Sequence, residues 1–403
     1  MTSNISKKIF ENIWFYLIFI PFLIPLGPEN YIAWYKDFYT GWMEISTILM
    51  ALSLLILCMG GFLKIDKAIL FLLLYHIVFL LITIVEQHTI TNGFQKLLST
   101  PILILYINEK SKNNFSNIVN IIGNILLCDF VLNILVFNEY FFRGVYDISN
   151  HNIFLGHVQT ISILGVLGVY IGYDLIRAKK HILKGKLLIL FSLSNMLYSQ
   201  ASTAYVAVAL CIVVYLLSKS VNVRASIVKH IKLIVLCVFA ISIFLLFLAY
   251  RLQNTGFYVE YNQLFNSRPV IWNLGLLAFF KKIFLGYGAY GIQMKPYWLS
   301  WQPDAVGFNY AHNTVLQLLL DGGVVLLICF YAMISSCVDN IRYIQTNARF
   351  WIYSFLTILL VIGFAESITD RVYFFIFLTI MISEKYNKYS ESENEIEIKK
   401  TIE

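Results

Sequence analysis

Two residues more than forty positions apart carry side chains suited to handling an anion and a proton. Arg268 opens the stretch "RPVIWNLGLLAFFKKIFLGYG", and His312 opens "HNTVLQLLLDGG". A guanidinium can grip two phosphate oxygens in a fork. An imidazole is the side chain best suited to taking a proton near neutral pH. His312 stands at the head of a long apolar run, where packing in a membrane gives no reason for a histidine. The start of a helix offers unpaired amides and the positive end of the helix dipole, which favour an anion and keep a nearby imidazole neutral. A second reading also fits: His312 and Asn313 simply cap the helix or meet lipid headgroups. Arg268 has its own plain alternative, snorkelling to lipid phosphate.

Other polar residues gather at the ends of apolar runs. Arg143, Asp147, His151, Asn152 and His157 precede one run; Glu366, Asp370 and Arg371 form a short turn between two others. Ser199, Gln200, Ser202 and Thr203 interrupt a third apolar stretch. Polar groups so placed tend to line a cavity rather than face lipid, although Glu366 with Arg371 is also readable as a structural pair. The spacing of His151, His157 and His312 gives no support for a metal, and no phosphate-cradling glycine loop or DxD is present. Neither a metal nor a cofactor is expected.

The elements that hold these residues follow from composition. Of 403 residues, 59% are hydrophobic and 13% charged, about half the charge of a soluble protein. Several runs reach the roughly 20 residues needed to cross hydrocarbon as a helix, and none alternates as a β-barrel strand would. The expected fold is an all-α polytopic membrane protein. Apolar spans are placed at 12–27, 42–62, 68–85, 97–107, 118–137, 153–172, 187–200, 203–218, 231–250, 311–333, 350–365 and 371–383, about twelve if the chain breaks near Gln200. The first run has no small-residue cleavage site and reads as a span rather than a signal peptide. The six cysteines lack CxxC spacing and read as small lipid- or bundle-facing residues. Residues 1–383 form a single transmembrane domain, and 384–403 a charged, disordered tail.

Basic residues set the orientation. Alternate loops and the termini hold 21 of the 30 lysines and arginines, which places both termini in the cytoplasm. The charges lie in short loops, so they are topology signals and not a nucleic-acid surface. The long loop 251–310 is then external. Within it, Pro269 to Phe284 predicts a helix lying in the headgroup zone, with Trp272, Phe279, Phe280, Lys281 and Lys282 as its anchors, ended by Gly286-Tyr287-Gly288. Tyr297, Trp298, Trp301, Phe308 and Tyr310 continue an aromatic run of a kind that anchors interfaces and also stacks on sugars. No internal repeat or discontinuous helix is evident.

The order arginine, tryptophan-bearing helix, Gly-x-Gly, then His-Asn opening a span with a glycine about ten residues on, resembles the O-antigen ligase and polymerase superfamily of bacterial envelope polysaccharide synthesis. The likeness covers Arg268 to Gly323 and extends loosely through "RGVYDISNHNIFLG". It implies glycosyl transfer outside the plasma membrane from a polyprenyl-diphosphate-linked oligosaccharide. His312 would serve as base and Arg268 as diphosphate ligand, with Asn313, Arg143, Asn152, Arg371, Gly286, Tyr287, Gly288 and Trp272 in the substrate site. A flippase and a chain-length regulator of the same pathway are the implied protein partners. One departure stands out: "YSQASTAYVAVAL" has Thr203 where many relatives carry an arginine thought to hold phosphate. That leans toward a polymerase and leaves the second phosphate contact to Arg143 or Arg371. The rival class is a lipid-linked sugar transporter.

Overall fold

In hydrocarbon every backbone N–H and C=O must be satisfied within the segment, so the apolar runs become helices. The computed structural model describes residues 2–30, 32–61, 65–87, 93–136, 152–292 and 310–387. In chain order the helices are α1 (Thr2–Leu23), α2 (Tyr35–Met59), α3 (Lys67–Gln87), α4 (Thr100–Val131), α5 (Ile161–Arg177), α6 (Ile182–Tyr198) and α7 (Ser202–Leu217). They continue as α8 (Val221–Leu252), α9 (Tyr258–Leu264), α10 (Arg268–Lys281), α11 (Thr314–Asn340), α12 (Thr346–Ile362) and α13 (Val372–Ser383). Among the described residues the one β-ladder is a two-residue hairpin, β1 (Asn152–Ile153) against β2 (Gly156–His157), which docks on the amide of Gly27 through Phe154 O. Six helical stretches are long and apolar enough to cross a membrane, and shorter apolar helices accompany them. Leu55, Ile56, Leu216, Phe244 and Ile328 are exposed on the outside of the bundle, as a lipid-facing belt requires. The cysteines are free and spread from exposed Cys58 to buried Cys337. Arg143, Asp147, His151, the aromatic run from Tyr297 to Phe308 and the tail from 388 lie outside the described residues; of Asn152 only the backbone is described.

Two breaks follow the polar residues. The expected interruption near Gln200 is present: α6 stops at Tyr198, Gln200 takes a left-handed φ of 53°, and α7 starts at Ser202. The second lies inside α4, where Asn114 leaves helical geometry (φ −132°, ψ 26°) and its amide donates to Glu11. A straight helix from Lys96 to Asp129 would measure about 50 Å. Yet Lys96 forms an ion pair with Asp370 while the charge of Asp129 reaches Tyr373, three residues further on. The segment therefore folds back at Asn114 into two arms, matching the separately expected runs at 97–107 and 118–137. The turn brings Lys112 and Glu109 near Asp66, Lys385 and Tyr386. That end of the bundle also holds Glu11, so both ends of the described chain lie on one side.

α13 is only 12 residues long, yet all of them are buried. It runs up the middle of the bundle, with Phe374 against Phe330, Phe375 against Tyr75 and Phe377 against Tyr170. A helix that never touches lipid need not match the bilayer's thickness. Its two ends are tied by charge: Asp370 to Lys96 just before it, and Glu384 to Arg177 just after.

α11 is discontinuous, contrary to the sequence expectation. Gly322 (φ −148°, ψ 16°) and Gly323 (φ 62°, ψ −161°) break it after two turns. The freed groups are taken up by the loop after α10. Tyr287 N donates to Leu320 O and Gly288 N to Asp321 O, while Val324 N donates to Ile283 O, at 2.8 to 2.9 Å. The backbones approach so closely that a Cβ on Gly323 would lie 2.2 Å from the Phe284 carbonyl, and one on Gly286 2.4 Å from Leu320 O. Both glycines have positive φ. Here the Gly-Tyr-Gly and Asp-Gly-Gly motifs have a common physical reason: they let a loop repair the backbone of a broken, buried helix. Gly323→Ala should cost about 2 kcal/mol or more from the left-handed backbone and the clash together. Gly41→Ala, in open space within α2, should be neutral or stabilise by roughly 0.5 kcal/mol. Thermal unfolding of the two variants in detergent checks the contrast.

Candidate functional site

Arg268 begins α10 after two successive left-handed residues, Asn266 (φ 50°) and Ser267 (φ 63°). Its side chain is buried and Nη2 lies 2.9 Å from Glu366 Oε1. His312, itself left-handed at φ 49°, places Nδ1 4.0 Å from the other oxygen of the same carboxylate. The guanidinium and the imidazole therefore bracket one acid. Tyr310 completes the group: its hydroxyl donates to Glu366 Oε2 at 3.1 Å, lies 2.8 Å from Gln159 Oε1, and its ring tilts against His312 with centroids 4.1 Å apart. Arg371 lies over the Tyr310 ring at 5.7 Å.

The loop that presents His312 is held from behind. Ala311 N donates to Gln317 Oε1, Gln317 Nε2 to Asp321, and Asp321 pairs with buried Lys96 at 2.6 Å. Trp272 Nε1 donates to His312 O at 3.4 Å. Asn313 is the N-cap: Oδ1 accepts from Leu316 N at 3.0 Å, and Nδ2 donates to Phe364 O and Ser242 Oγ. Thr314 ties the turn after α12 to the same helix start, its amide donating to Gly363 O and its hydroxyl to Glu366 O. These bonds hold His312 in a backbone conformation that costs a non-glycine residue about 1–2 kcal/mol.

Several expected roles change. Asn313 is fully buried and caps the helix, which is the plainer of the two readings that its sequence position allowed. The amides of Thr314 and Leu316 at the helix start are already paired, with Gly363 O and Asn313 Oδ1. Trp272 and Phe279 are buried against the bundle rather than anchored in headgroups; α10 packs on α8 and α11 because its small residues, such as Gly275, admit Leu316. Tyr287 is buried with its hydroxyl on Ala278 O, and with Gly286 and Gly288 it serves the helix break. Lys282 pairs with Glu86. Glu366 pairs directly with Arg268, not Arg371. Arg371 does sit beside the site, and Thr203, at the α7 start, lies near it through Ser202, whose hydroxyl is 3.4 Å from Asn266 Nδ2.

Burial governs the electrostatics. It pushes Glu366 up to about 7, against the pull of Arg268, Arg371 and the Tyr310 hydroxyl. Burial, then the nearby charges of Arg268, His157 and Arg371, pushes His312 down to about 3. His157 thus converges on His312, which sequence spacing could not reveal. Tyr310 is pushed up by burial and by Glu366. At neutral pH the site presents a neutral imidazole and a carboxylate poised between its two forms. Three or more histidine, cysteine or acidic residues in metal-binding proximity are not found among the described residues.

Residues 187–331 match the O-antigen ligase family. The match supports the O-antigen ligase and polymerase superfamily that the motifs resemble. It includes Arg268, Tyr310 and His312 but stops short of Glu366 and Arg371, and begins after His157 and Gln159. No curated protein matches the chain. Glu366 was visible in the sequence only as one acid in a polar turn. What marks it is its tertiary position between two cationic or basic groups.

The largely buried imidazole of His312 couples stability to pH. Because its folded pKa lies below the ordinary value near 6.5, the neutral imidazole contributes stability above that pH, and this is lost as pH falls toward 3. His312→Asn, which tolerates the left-handed backbone, removes the effect. On moving from pH 7.5 to pH 5 the variant should gain about 2 kcal/mol relative to wild type. Paired unfolding curves at the two pH values test it.

Proposed function

We propose that the protein transfers glycosyl groups from a polyprenyl-diphosphate-linked oligosaccharide at the external face of a bacterial plasma membrane. The supporting observation is the meeting of Arg268 and His312 on one buried carboxylate within a chain that matches the O-antigen ligase family. In this reading the bundle crosses the membrane about twelve times with both termini cytoplasmic, and the Glu366 end faces out. Arg268 binds the donor diphosphate, with Arg371 as the second guanidinium in place of the arginine replaced by Thr203. Charge growing on the departing diphosphate is stabilised there. His312 accepts the proton of the attacking sugar hydroxyl, and attack opposite the leaving group inverts the anomeric carbon. The acceptor is another lipid-linked repeat unit, which makes the enzyme a polymerase for capsule, exopolysaccharide or O-antigen; transfer to a different acceptor would make it a ligase.

The broken α11 with buried Lys96 and Asp321 beside it favours a second reading, since discontinuous helices mark many transporters. Against it, the break is filled by the backbone of 283–288. Protein reconstituted with lipid-linked repeat units confined to one leaflet separates the two: the enzyme lengthens them there, and a transporter only moves them across.

His312→Asn should fold normally and lower chain growth at least 100-fold, the usual worth of a positioned general base being roughly 10²–10⁴. Arg268→Lys keeps the charge opposite Glu366 but loses the fork, and should lower it about tenfold or more. Wild-type rates in His312→Asn would remove the base assignment.

A further inference from the structure

Arg268, the residue that would bind the diphosphate, is already engaged in the fold. Its partner carboxylate is buried, only 3% exposed, and its second oxygen is turned to Tyr310 and His312. The carboxylate thus fills the position between guanidinium and imidazole that an anionic ligand would need. It is carried by a turn, residues 363–371, whose backbone is pinned to the start of α11 through Thr314. The side chain can therefore swing between its two partners while the turn stays in place.

We propose that Glu366 is a stand-in for the donor's anion and the positioning residue for His312. It rests on the glycosyl-transfer reading. Glu366 holds Arg268 until the diphosphate takes its place; the displaced carboxylate then closes on Nδ1 of His312. That contact fixes the proton on Nδ1 and leaves Nε2 to act. The acceptor O–H gives its proton to Nε2 while its oxygen bonds to the anomeric carbon, and the bond to the phosphate oxygen breaks with its electron pair leaving on the diphosphate. The resulting imidazolium faces a carboxylate rather than a bare cationic site. Donor binding and base activation become one event, because one acid cannot serve Arg268 and His312 equally.

The groups facing Glu366 set the pH response. Arg268 approaches from α10, Tyr310 and His312 from the loop before α11, and Arg371 from its own turn, while His157 acts on His312 from β2. A carboxylate already poised near neutrality is pushed further toward its protonated form once Arg268 is taken from it. Binding a diphosphate near pH 7 should therefore draw in protons from solution.

The test uses full-length protein in nanodiscs and farnesyl diphosphate as the probe. Calorimetry in two buffers of different ionisation enthalpy reads proton uptake, and chain growth is followed separately with lipid-linked repeat units. Wild type should take up a fraction of a proton on binding. Glu366→Gln should bind the probe severalfold tighter, roughly three- to tenfold, because Arg268 is no longer competed for. The same variant should take up no proton and lengthen chains on the order of 100-fold more slowly. Glu366→Asp, which keeps the charge, should retain proton uptake and recover part of the rate. A merely structural Glu366 would lower binding and rate together in Glu366→Gln, and that result, or unchanged proton uptake, overturns the proposal. Wild type that neither binds farnesyl diphosphate nor lengthens chains would instead remove the glycosyl-transfer reading and this inference with it. Wild type that does both, equalled by Glu366→Gln, removes only the role of Glu366.

Discussion

A buried carboxylate needs partners, and Glu366 draws two separate stretches of chain to its own turn. Leaving a charge unpaired away from water costs several kcal/mol, so the fold must deliver Arg268, Tyr310 and the His312 loop to the same point. Much of the local backbone serves that delivery. Of the six described non-glycine residues with positive φ, five (Gln200, Asn266, Ser267, Tyr290 and His312) lie at this end of the bundle. The opposite end, with its Lys385–Asp66 and Arg177–Glu384 pairs, has only Lys179. Strain concentrated at one end is the expected mark of an arrangement fixed for a purpose other than stability.

The strain is offset by a second buried network behind it. Lys96 sits between Asp321 and Asp370, with the Phe79 and Tyr290 rings closing over it. Buried ion pairs add little net stability, but once formed they tolerate few alternative geometries. This one ties the arm before Asn114, the broken α11 and the turn before α13 to one another. Gln317 passes the constraint from Asp321 to the amide next to His312. The helix break and the histidine loop are thus two ends of one rigid piece, which explains why the Asp-Gly-Gly lies two turns after the His-Asn.

Helical class, the apolar runs and the interruption at Gln200 could be read in the sequence because each follows from local composition. Arg268 and His312 could be singled out because charged or titratable residues at the edge of apolar runs are costly and hence informative. The role of Asn313 was open, since a helix-capping residue and a polar ligand share the same chemistry; only its bonds to Leu316 and Phe364 decide. Trp272 misled for a related reason: a tryptophan amid aromatics and lysines suits an interface, and nothing local shows that α8 and α11 cover it. The break in α11 was hidden because Gly322 and Gly323 sit inside an unbroken apolar run, and the loop that repairs it lies more than thirty residues earlier. Glu366 and His157 are tertiary facts altogether.

Charge balance carries the reading one step further. In the network from Lys96 to His312, three cations (Lys96, Arg268 and Arg371) face three carboxylates (Asp321, Glu366 and Asp370). With Glu366 ionised the set is neutral without a ligand, as a buried network should be. A diphosphate brings at least two further negative charges into the same low-dielectric volume, and something must compensate. Asp321 and Asp370 are locked on Lys96, and moving either would undo the support of the His312 loop. Glu366 alone among the three carboxylates is held by a residue that also faces the proposed ligand, and it alone can lose its charge without disturbing the scaffold. Displacement of that one side chain onto His312, with only a fraction of it taking up a proton, is therefore the least costly way for such a site to admit a polyanion.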